Sequence, residues 1–369
     1  STPEGLALTV QLMRLTTPAV LFMSIAGVLS GLLYALKRYT YPAFMAAIFN
    51  AGIVAVTVVL HNQLDIASMA LGWLVGSILQ VALLLPGLRD ARLGLSFAFS
   101  HPGLRRVFTL FMPILLGLVV EVVFNRLISY NLASQTGVGG LSWMNYATTL
   151  RQLPQGLVAI AVSFAVLPTL SAHAASERSG GDPELFRATL AKGLRLVIVL
   201  IIPATVGLFI LANPTVGLLF QHGDFTTADT VMTVRALDYY LLGLPFAAVD
   251  LILVFAFYAR QNTLTPALIG VAANVAYLAV AAILIRPLGL FSLMIADSFK
   301  QLFHAAVSAY ILRKNVGGLA AYGVLQTLLQ TCIAALVMSG ATWGTLFVVA
   351  SVVPPLGALG EMLLVGMPA

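Results

Sequence analysis

Long apolar runs separated by short polar segments make up most of this 369-residue chain. Each run has about twenty residues or more, the length at which an α-helix crosses the hydrocarbon core of a bilayer. The runs lack the alternation of apolar and polar residues that is typical of membrane β-barrel strands. The predicted spans are residues 8–36, 42–60, 66–86, 107–133, 141–171, 194–212, 234–258, 266–285, 288–312, 319–339 and 343–365. The pattern therefore predicts an all-α polytopic membrane protein with eleven membrane-spanning helices.

Composition supports a membrane environment. Hydrophobic residues form 60% of the chain, charged residues form 9%, and the mean hydropathy is +1.00. Such a surface is not stable in water. The single cysteine, Cys332, excludes an internal disulfide.

The distribution of Lys and Arg predicts the orientation of the spans. Connections on one side of the predicted membrane hold thirteen of these cations, whereas those on the other side hold only Arg235 and Arg286. The first side is therefore predicted to be cytoplasmic. This bias explains the net charge of +6 without a nucleic-acid partner. The remaining cations fall inside or at the edges of spans: Arg14, Arg126, Arg151 and Lys300.

Two segments of the chain repeat each other. Residues 33–60 align without a gap to residues 257–284, at a constant offset of 224. The identities pair Tyr34, Ala35, Pro42, Ala43, Asn50, Ala55, Val56 and Leu60 with Tyr258, Ala259, Pro266, Ala267, Asn274, Ala279, Val280 and Leu284. An even number of predicted spans separates the copies, so both have the same orientation. Parallel repeats of this kind are typical of a two-lobed transporter.

The repeat also predicts the size of the whole unit. Three predicted spans, beginning at residue 107, precede the helix pair of the second copy, but none precedes that of the first. Subtracting the offset places the start of a complete first half roughly 117 residues before Ser1. We expect the chain to lack about three N-terminal helices of a fourteen-helix protein.

Arg151 is the most unusual residue within a span. A guanidinium at mid-bilayer costs about 2.5 to 3.5 kcal/mol on insertion scales, so it must face water, protein or an anion. Pro154 removes a helix hydrogen bond and Gly156 loosens the next turn, which predicts a kink that opens toward a cavity. The alternatives are that Arg151 extends to the membrane interface or pairs with a neighbouring acid.

Other polar groups interrupt three further spans. Span 107–133 carries Glu121, Asn125 and Arg126, and span 288–312 carries a stripe formed by Asp297, Lys300, Gln301, His304 and Ser308. These groups line a cavity in one interpretation, and only pack helices together in the other. Asp250 is an acid without a local partner and a candidate for proton or cation binding.

Motifs for nucleotide, metal or nucleophilic chemistry are absent from the sequence. There is no GxxxxGK[ST] loop, no zinc-ligand spacing and no nucleophile elbow. We therefore expect a transporter without a cofactor or metal site, driven by an Na+ or H+ gradient, the membrane potential or substrate flux.

Four segments resemble one known family. The stretch SWMNYATTLRQLPQGLVAIAVSFAVLPTLS is similar to the hallmark of the MurJ (MviN) lipid II flippases of the multidrug/oligosaccharidyl-lipid/polysaccharide exporter superfamily. In that hallmark a tyrosine-alanine pair precedes a leucine-proline-x-glycine kink and a leucine-proline-x-leucine-serine end. LFQHGDFTTADTVMT, GLPFAAVDLILVFAFYARQNTLTP and LTVQLMRLTTPAV also resemble family segments, in the family's order.

The resemblance implies a domain organisation and a function. Residues 1–86 would be the remainder of an N-lobe (helices 4–6), 87–106 a cytoplasmic linker, 107–314 the C-lobe (helices 7–12) and 315–369 two extra helices (13–14). A V-shaped pair of lobes would have a groove for lipid tails and a cation-rich cavity for the diphosphate and head group. By alternating access, the lipid-linked peptidoglycan precursor would cross the bacterial inner membrane to the outer leaflet, beside membrane lipids and the cell-wall synthesis machinery.

Some positions depart from the family pattern. Thr148 and Thr149 stand where many members have an acid and an arginine, and Gln152 stands where an acid is common. Arg151 is then a replacement for the lost cation. An acid that is frequent late in helix 7 corresponds to Ser129, which weakens the expectation of cation coupling there.

Three functions compete at this stage. A flippase would use Arg151, Arg126 and Lys300 for the diphosphate, with Gln152, Asn125 and Gln301 as polar cavity residues. An ion-coupled exporter of soluble compounds would depend on Glu121, Asp250 or Asp297 and little on Arg151. A non-transporting scaffold in cell-wall assembly would tolerate loss of all these charges but not of its loop surfaces.

Overall fold

The computed structural model describes residues 3–89, 102–123, 128–135 and 139–352, which contain helices and no strand. The chain separates into two compact units, residues 1–98 and 99–369. Helices of the first unit are α1 (Pro3–Ala35), α2 (Thr40–Ala43), α3 (Met45–Leu64) and α4 (Ile66–Leu84). Helices α3 and α4 approach closely: a Cβ added at Gly76 would lie 2.6 Å from the Phe49 carbonyl oxygen. Small residues commonly allow such contact between membrane helices.

The second unit is built from the remaining eleven helices of the described residues. Its helices are α5 (Pro102–Glu121), α6 (Ser129–Gln135), α7 (Gly140–Pro154), α8 (Ala161–Arg178), α9 (Pro183–Ile210), α10 (Ala212–Phe220), α11 (Thr227–Leu241), α12 (Leu244–Ala259), α13 (Leu264–Leu288), α14 (Phe291–Val316) and α15 (Val324–Val352). Its core includes the fully buried side chains Phe186, Ile201, Leu237 and Phe257. These lie on α9, α11 and α12, which therefore form the centre of the unit.

The protein is a multi-pass membrane protein. Within the described residues, eight helices are long and apolar enough to cross a bilayer, and the bent pair α11 and α12 makes a ninth candidate. Helix α14 occupies the predicted span 288–312 but fails this test of composition, in line with the polar stripe that it carries. Predicted span 343–365 extends beyond the described residues, so the count of eleven stays a prediction.

The C-terminal end differs from the prediction. A break was expected between spans 319–339 and 343–365, but α15 continues without interruption from Val324 to Val352. The segment between the spans contains Gly340 but no proline. A glycine weakens a helix by about 1 kcal/mol without ending it, so the apolar run stays helical.

Side-chain caps mark the starts of α9 and α11. The Asp182 carboxylate accepts a hydrogen bond from the Glu184 backbone N–H at 2.8 Å, and α9 begins at Pro183. Thr226 and Asp229 form a capping box at the start of α11. These caps satisfy backbone N–H groups that a helix start leaves without partners.

The internal repeat is also present in the backbone. Helices α1 and α12 end at the matched residues Ala35 and Ala259. Positive φ angles recur at the same offset of 224, at 59° and 61° for Lys37 and Gln261 and at 47° and 52° for Asp65 and Gly289. The two segments therefore fold alike locally, and the likeness extends past the sequence identities.

The predicted span 234–258 is broken into α11 and α12, which meet at an angle of 43°. Pro245 in the first turn of α12 cannot donate a backbone hydrogen bond to α11, which favours a break there. At the break, a Cβ added to Gly243 would lie 2.6 Å from the Ser298 Cα of α14. Gly243 therefore lets α14 pack against the broken span.

We expect Gly243→Ala to destabilise the protein by about 1 to 3 kcal/mol, because the added methyl group has no room between backbones. Chemical denaturation of the purified protein in detergent measures this change. The matched control is Gly156→Ala, since a Cβ at Gly156 meets nothing within 4 Å. Equal stability of the two variants would contradict the close contact at Gly243.

Candidate functional site

A cavity of about 240 Å³ lies inside the second unit. We call it the charged cavity. Six of the residues predicted as site candidates line it: Glu121, Arg151, Gln152, Asp297, Lys300 and Gln301. The rest of the lining is Ser129, Tyr130, Met144, Thr148, Tyr240, Tyr277 and Leu293. Residues from α5, α6, α7, α11, α13 and α14 thus meet at one place.

Charged side chains in this cavity form a continuous network. The Arg151 guanidinium donates a hydrogen bond to Asp297, and Lys300 Nζ lies 3.4 Å from Asp297 Oδ1. Lys300 Nζ also donates to Glu121 Oε1 at 3.2 Å. The side chains of Arg151, Asp297 and Lys300 are only 13%, 12% and 8% exposed. Two cations and two carboxylates therefore balance each other, and of the four only the Glu121 side chain, at 47%, is substantially exposed.

Aromatic rings complete the surroundings of the two cations. The Arg151 guanidinium carbon lies 4.7 Å from the centroid of the Tyr240 ring, and Lys300 Nζ lies 5.9 Å from that of Tyr277. Ring faces attract cations, more strongly where water is excluded. Sequence reasoning missed both tyrosines, because tyrosine is common at the ends of membrane spans and does not by itself indicate a site.

Local helix geometry explains how α14 presents its charges. Asp297, Lys300 and Gln301 have i, i+3 and i+4 spacing and so share one face of the helix. Ser298 lies beside this face and donates to the Tyr239 carbonyl at 2.6 Å, which holds α14 against α11. The polar stripe therefore both lines the cavity and packs helices together.

Arg151 lies in the last turn of α7, directly before an irregular segment. Residues Gln155–Ile160 form a π-helical turn that begins one residue after Pro154. Such turns often occur where a proline interrupts helix hydrogen bonding and at functional sites. The irregularity thus occurs where a kink was predicted, although Gly156 has open space beside it.

A second cavity of about 210 Å³ adjoins the first and shares Glu121, Lys300 and Gln301 with it. We call it the histidine cavity. His304 Nδ1 and Asp250 Oδ1 are 2.7 Å apart within it. Asp250, predicted as an acid without a local partner, therefore has a partner on another helix. Their separation of 54 residues along the chain hid the pair from sequence reasoning.

Polar contacts link Glu121 and Ser129 to α13. Asn274 Nδ2 donates to Glu121 Oε2 at 3.2 Å, and the Ser129 and Tyr277 hydroxyls are 2.6 Å apart. Ser129, which stands where the family often has an acid, is therefore hydrogen-bonded within the site.

Two predicted residues, Asn125 and Arg126, lie outside the described residues. Asp297 and Glu121 pair with Arg151 and Lys300 in the described lining, and the cation-rich cavity that the resemblance implies stays a prediction. Asp297 is the shared counterion of both cations, and its role as a coupling residue stays a prediction. Within the described residues no group of three or more His, Cys, Asp or Glu side chains could hold a metal ion.

Two charges of the network have uncharged counterparts in the first unit. At the offset of 224, the positions that correspond to Asp297 and Lys300 are Trp73 and Gly76. At these two positions the repeat does not extend to the charge of the side chains.

A family model described as "Lipid II flippase MurJ" matches residues 1–363. The chain is 33% identical to the lipid II flippase MurJ of Burkholderia cenocepacia over 277 residues, which cover 73% of this chain and 52% of that protein. It is 28% identical to the probable lipid II flippase MurJ of Haemophilus influenzae over 342 residues, 90% of this chain and 66% of that protein. The chain thus spans about half to two thirds of these relatives.

A solved structure of lipid II flippase MurJ in an inward closed conformation has the same fold. It superposes with a TM-score of 0.73 at 23% identity, and the match covers 100% of this chain and 74% of the solved one. This likeness shows that the chain has the fold of that structure, as its motifs predicted. With the family match over nearly the whole sequence, it shows that the chain belongs to the MurJ family of lipid II flippases.

Proposed function

We propose that this protein is a transporter that moves lipid II, the lipid-linked peptidoglycan precursor, from the cytoplasmic to the outer leaflet of the bacterial inner membrane. Alternating access of the two lobes is the proposed mechanism. The observation that carries the proposal is the buried pair of cations, Arg151 and Lys300, in a cavity of a MurJ family member.

Arg151 and Lys300 suit a diphosphate for different reasons. A guanidinium offers two parallel N–H donors to a phosphate, and an ammonium is a compact charge that can approach several oxygens. In this structure Asp297 pairs with both cations, so its carboxylate lies where phosphate oxygens would bind. A diphosphate would displace Asp297, and its release would let the internal ion pairs form again.

Other residues have supporting roles in the proposal. Gln152 and Gln301 line the same cavity and offer amide groups to the sugars or the peptide. Asn125 and Arg126 stay candidates for the same head group on sequence grounds. Membrane lipids and the cell-wall synthesis machinery are the proposed partners, and an Na+ gradient, an H+ gradient or the membrane potential is the proposed driving force.

One observation favours a second candidate, an ion-coupled exporter of soluble compounds. The buried pair of Asp250 and His304 is a titratable group that a lipid flippase does not need for binding a diphosphate. This alternative predicts that binding and transport depend on Asp250 and not on Arg151.

A binding comparison tests the proposed function. The purified chain in lipid nanodiscs is titrated with lipid II and with a neutral glycolipid that has the same tail and sugars but no diphosphate. We expect lipid II to bind at least about tenfold more tightly, because charge-assisted hydrogen bonds contribute about 1.5 to 3 kcal/mol each. Equal affinity for the two lipids would contradict a diphosphate site.

A further inference from the structure

The pair of Asp250 and His304 is a buried group for which diphosphate binding has no direct use. Its side chains are 12% and 14% exposed, and the facing atoms are 2.7 Å apart. His304 Nδ1 also lies 3.3 Å from the Ser308 hydroxyl, so this nitrogen has two polar neighbours. Histidine is the side chain whose ordinary titration falls between pH 5 and 8.

The second ring nitrogen of His304 faces a different environment. Nε2 would be 3.7 Å from a Cβ at Gly270, and Gly270 and His304 both line the histidine cavity. With Nδ1 held by Asp250, Nε2 is the nitrogen at which a proton can be added from the cavity. The pair changes from a net charge of −1 to zero when it takes up that proton.

Few other ionisable groups surround the pair. Glu121 on α5 and Lys300 on α14 line the same cavity, and Tyr258 lies two turns along α12 from Asp250. Helix α13 contributes the uncharged Asn274. Within the described residues, α8, α9 and α11 send no side chain into this cavity, although they pack against α12 or α14.

The two cavities are electrostatically connected. Glu121, Lys300 and Gln301 line both of them, and His304 follows Lys300 by one helical turn. Arg151 and Lys300 provide two positive charges, against which Asp297, Glu121 and Asp250 provide three negative ones. Among the described residues that line the two cavities, a neutral His304 thus leaves a net charge of −1, and a protonated His304 leaves zero.

We propose that the Asp250–His304 pair is a proton-binding site linked to the binding of an anionic diphosphate in the neighbouring charged cavity. This inference rests on the proposed function and adds a regulator to it. Proton uptake by the pair removes one net negative charge near the charged cavity and so reduces repulsion of the diphosphate. The affinity for the diphosphate therefore rises as the pH falls. By thermodynamic reciprocity, a bound diphosphate strengthens proton binding by the same factor.

The test uses the purified chain in detergent and farnesyl diphosphate as the probe, with dissociation constants measured at pH 8 and at pH 5.5. Between pH 8 and pH 5.5, we expect the affinity of the wild type for the probe to rise about tenfold more than that of His304→Gln. The pH dependence that remains in His304→Gln measures the effect of the probe's own titration on binding. His222→Gln, on the exposed 221–226 connection, is the matched control and should follow the wild type.

A second variant gives an independent result. Asp250→Asn removes one negative charge at every pH, so at pH 8 it should bind the probe about as tightly as the wild type does at pH 5.5. Identical pH responses of wild type and His304→Gln would overturn the proton linkage while leaving the diphosphate site intact. No binding of the probe by the wild type at either pH would overturn the diphosphate site and the linkage together.

Discussion

Replacing Arg151 by alanine is expected to weaken lipid II binding by about 2 to 4 kcal/mol, roughly 30- to 1000-fold. Among the described residues that line the charged cavity, only Arg151 offers a buried, planar set of N–H donors. Its loss also leaves the Tyr240 ring without a cation. The dissociation constant of the purified chain for lipid II in nanodiscs measures the effect.

The variant Arg151→Lys separates the contribution of the guanidinium's shape to lipid II binding from that of its positive charge. Lysine keeps the positive charge but not the planar fork, so we expect it to restore only part of the affinity. Lys300, 3.4 Å from Asp297, stays as a counterion in either variant, which should preserve the fold. Unchanged lipid II affinity in a folded Arg151→Ala protein would remove Arg151 from the site and favour the exporter.

Replacing Asp297 by asparagine is expected to have the opposite effect, with lipid II bound about tenfold more tightly and released about tenfold more slowly. Asp297 is the internal counterion of Arg151 and Lys300, so a diphosphate must compete with its carboxylate. Asparagine keeps the size and a hydrogen-bonding oxygen but removes the competing charge. Association and dissociation rates of lipid II measure both parts of this prediction.

Asp238→Asn is the control for the loss of one negative charge. Asp238 lies on α11 in the same unit but does not line either cavity. Its substitution should leave the rates near those of the wild type. Weaker binding by Asp297→Asn would show instead that the carboxylate positions the two cations for the ligand.

Much of the architecture could be predicted from the sequence. Apolar runs set the positions of most helices, because a bilayer requires about twenty apolar residues for each crossing. The cap residues Asp182 and Thr226 fixed two helix starts, since their side chains act on backbone atoms within three residues. The repeat predicted the paired turns, whose positive φ angles recur at the same offset.

The predicted break between spans 319–339 and 343–365 does not exist, because nothing local in that segment forces a helix to end. The pairing of Asp297 with Arg151, and of Asp250 with His304, joins residues 146 and 54 positions apart. Six separate helices bring the side chains of the charged cavity together.

By itself, the sequence determined that this is a helical, multi-pass membrane protein with a duplicated segment, and which polar residues its spans contain. Only the tertiary structure decided that Arg151 meets Asp297 and that Lys300 meets Glu121, which balances the charges of the described lining. The physical reason is the distance along the chain over which each interaction acts. Helix formation and capping depend on neighbours within one or two turns, whereas buried charges find their partners wherever the packing of distant helices places them.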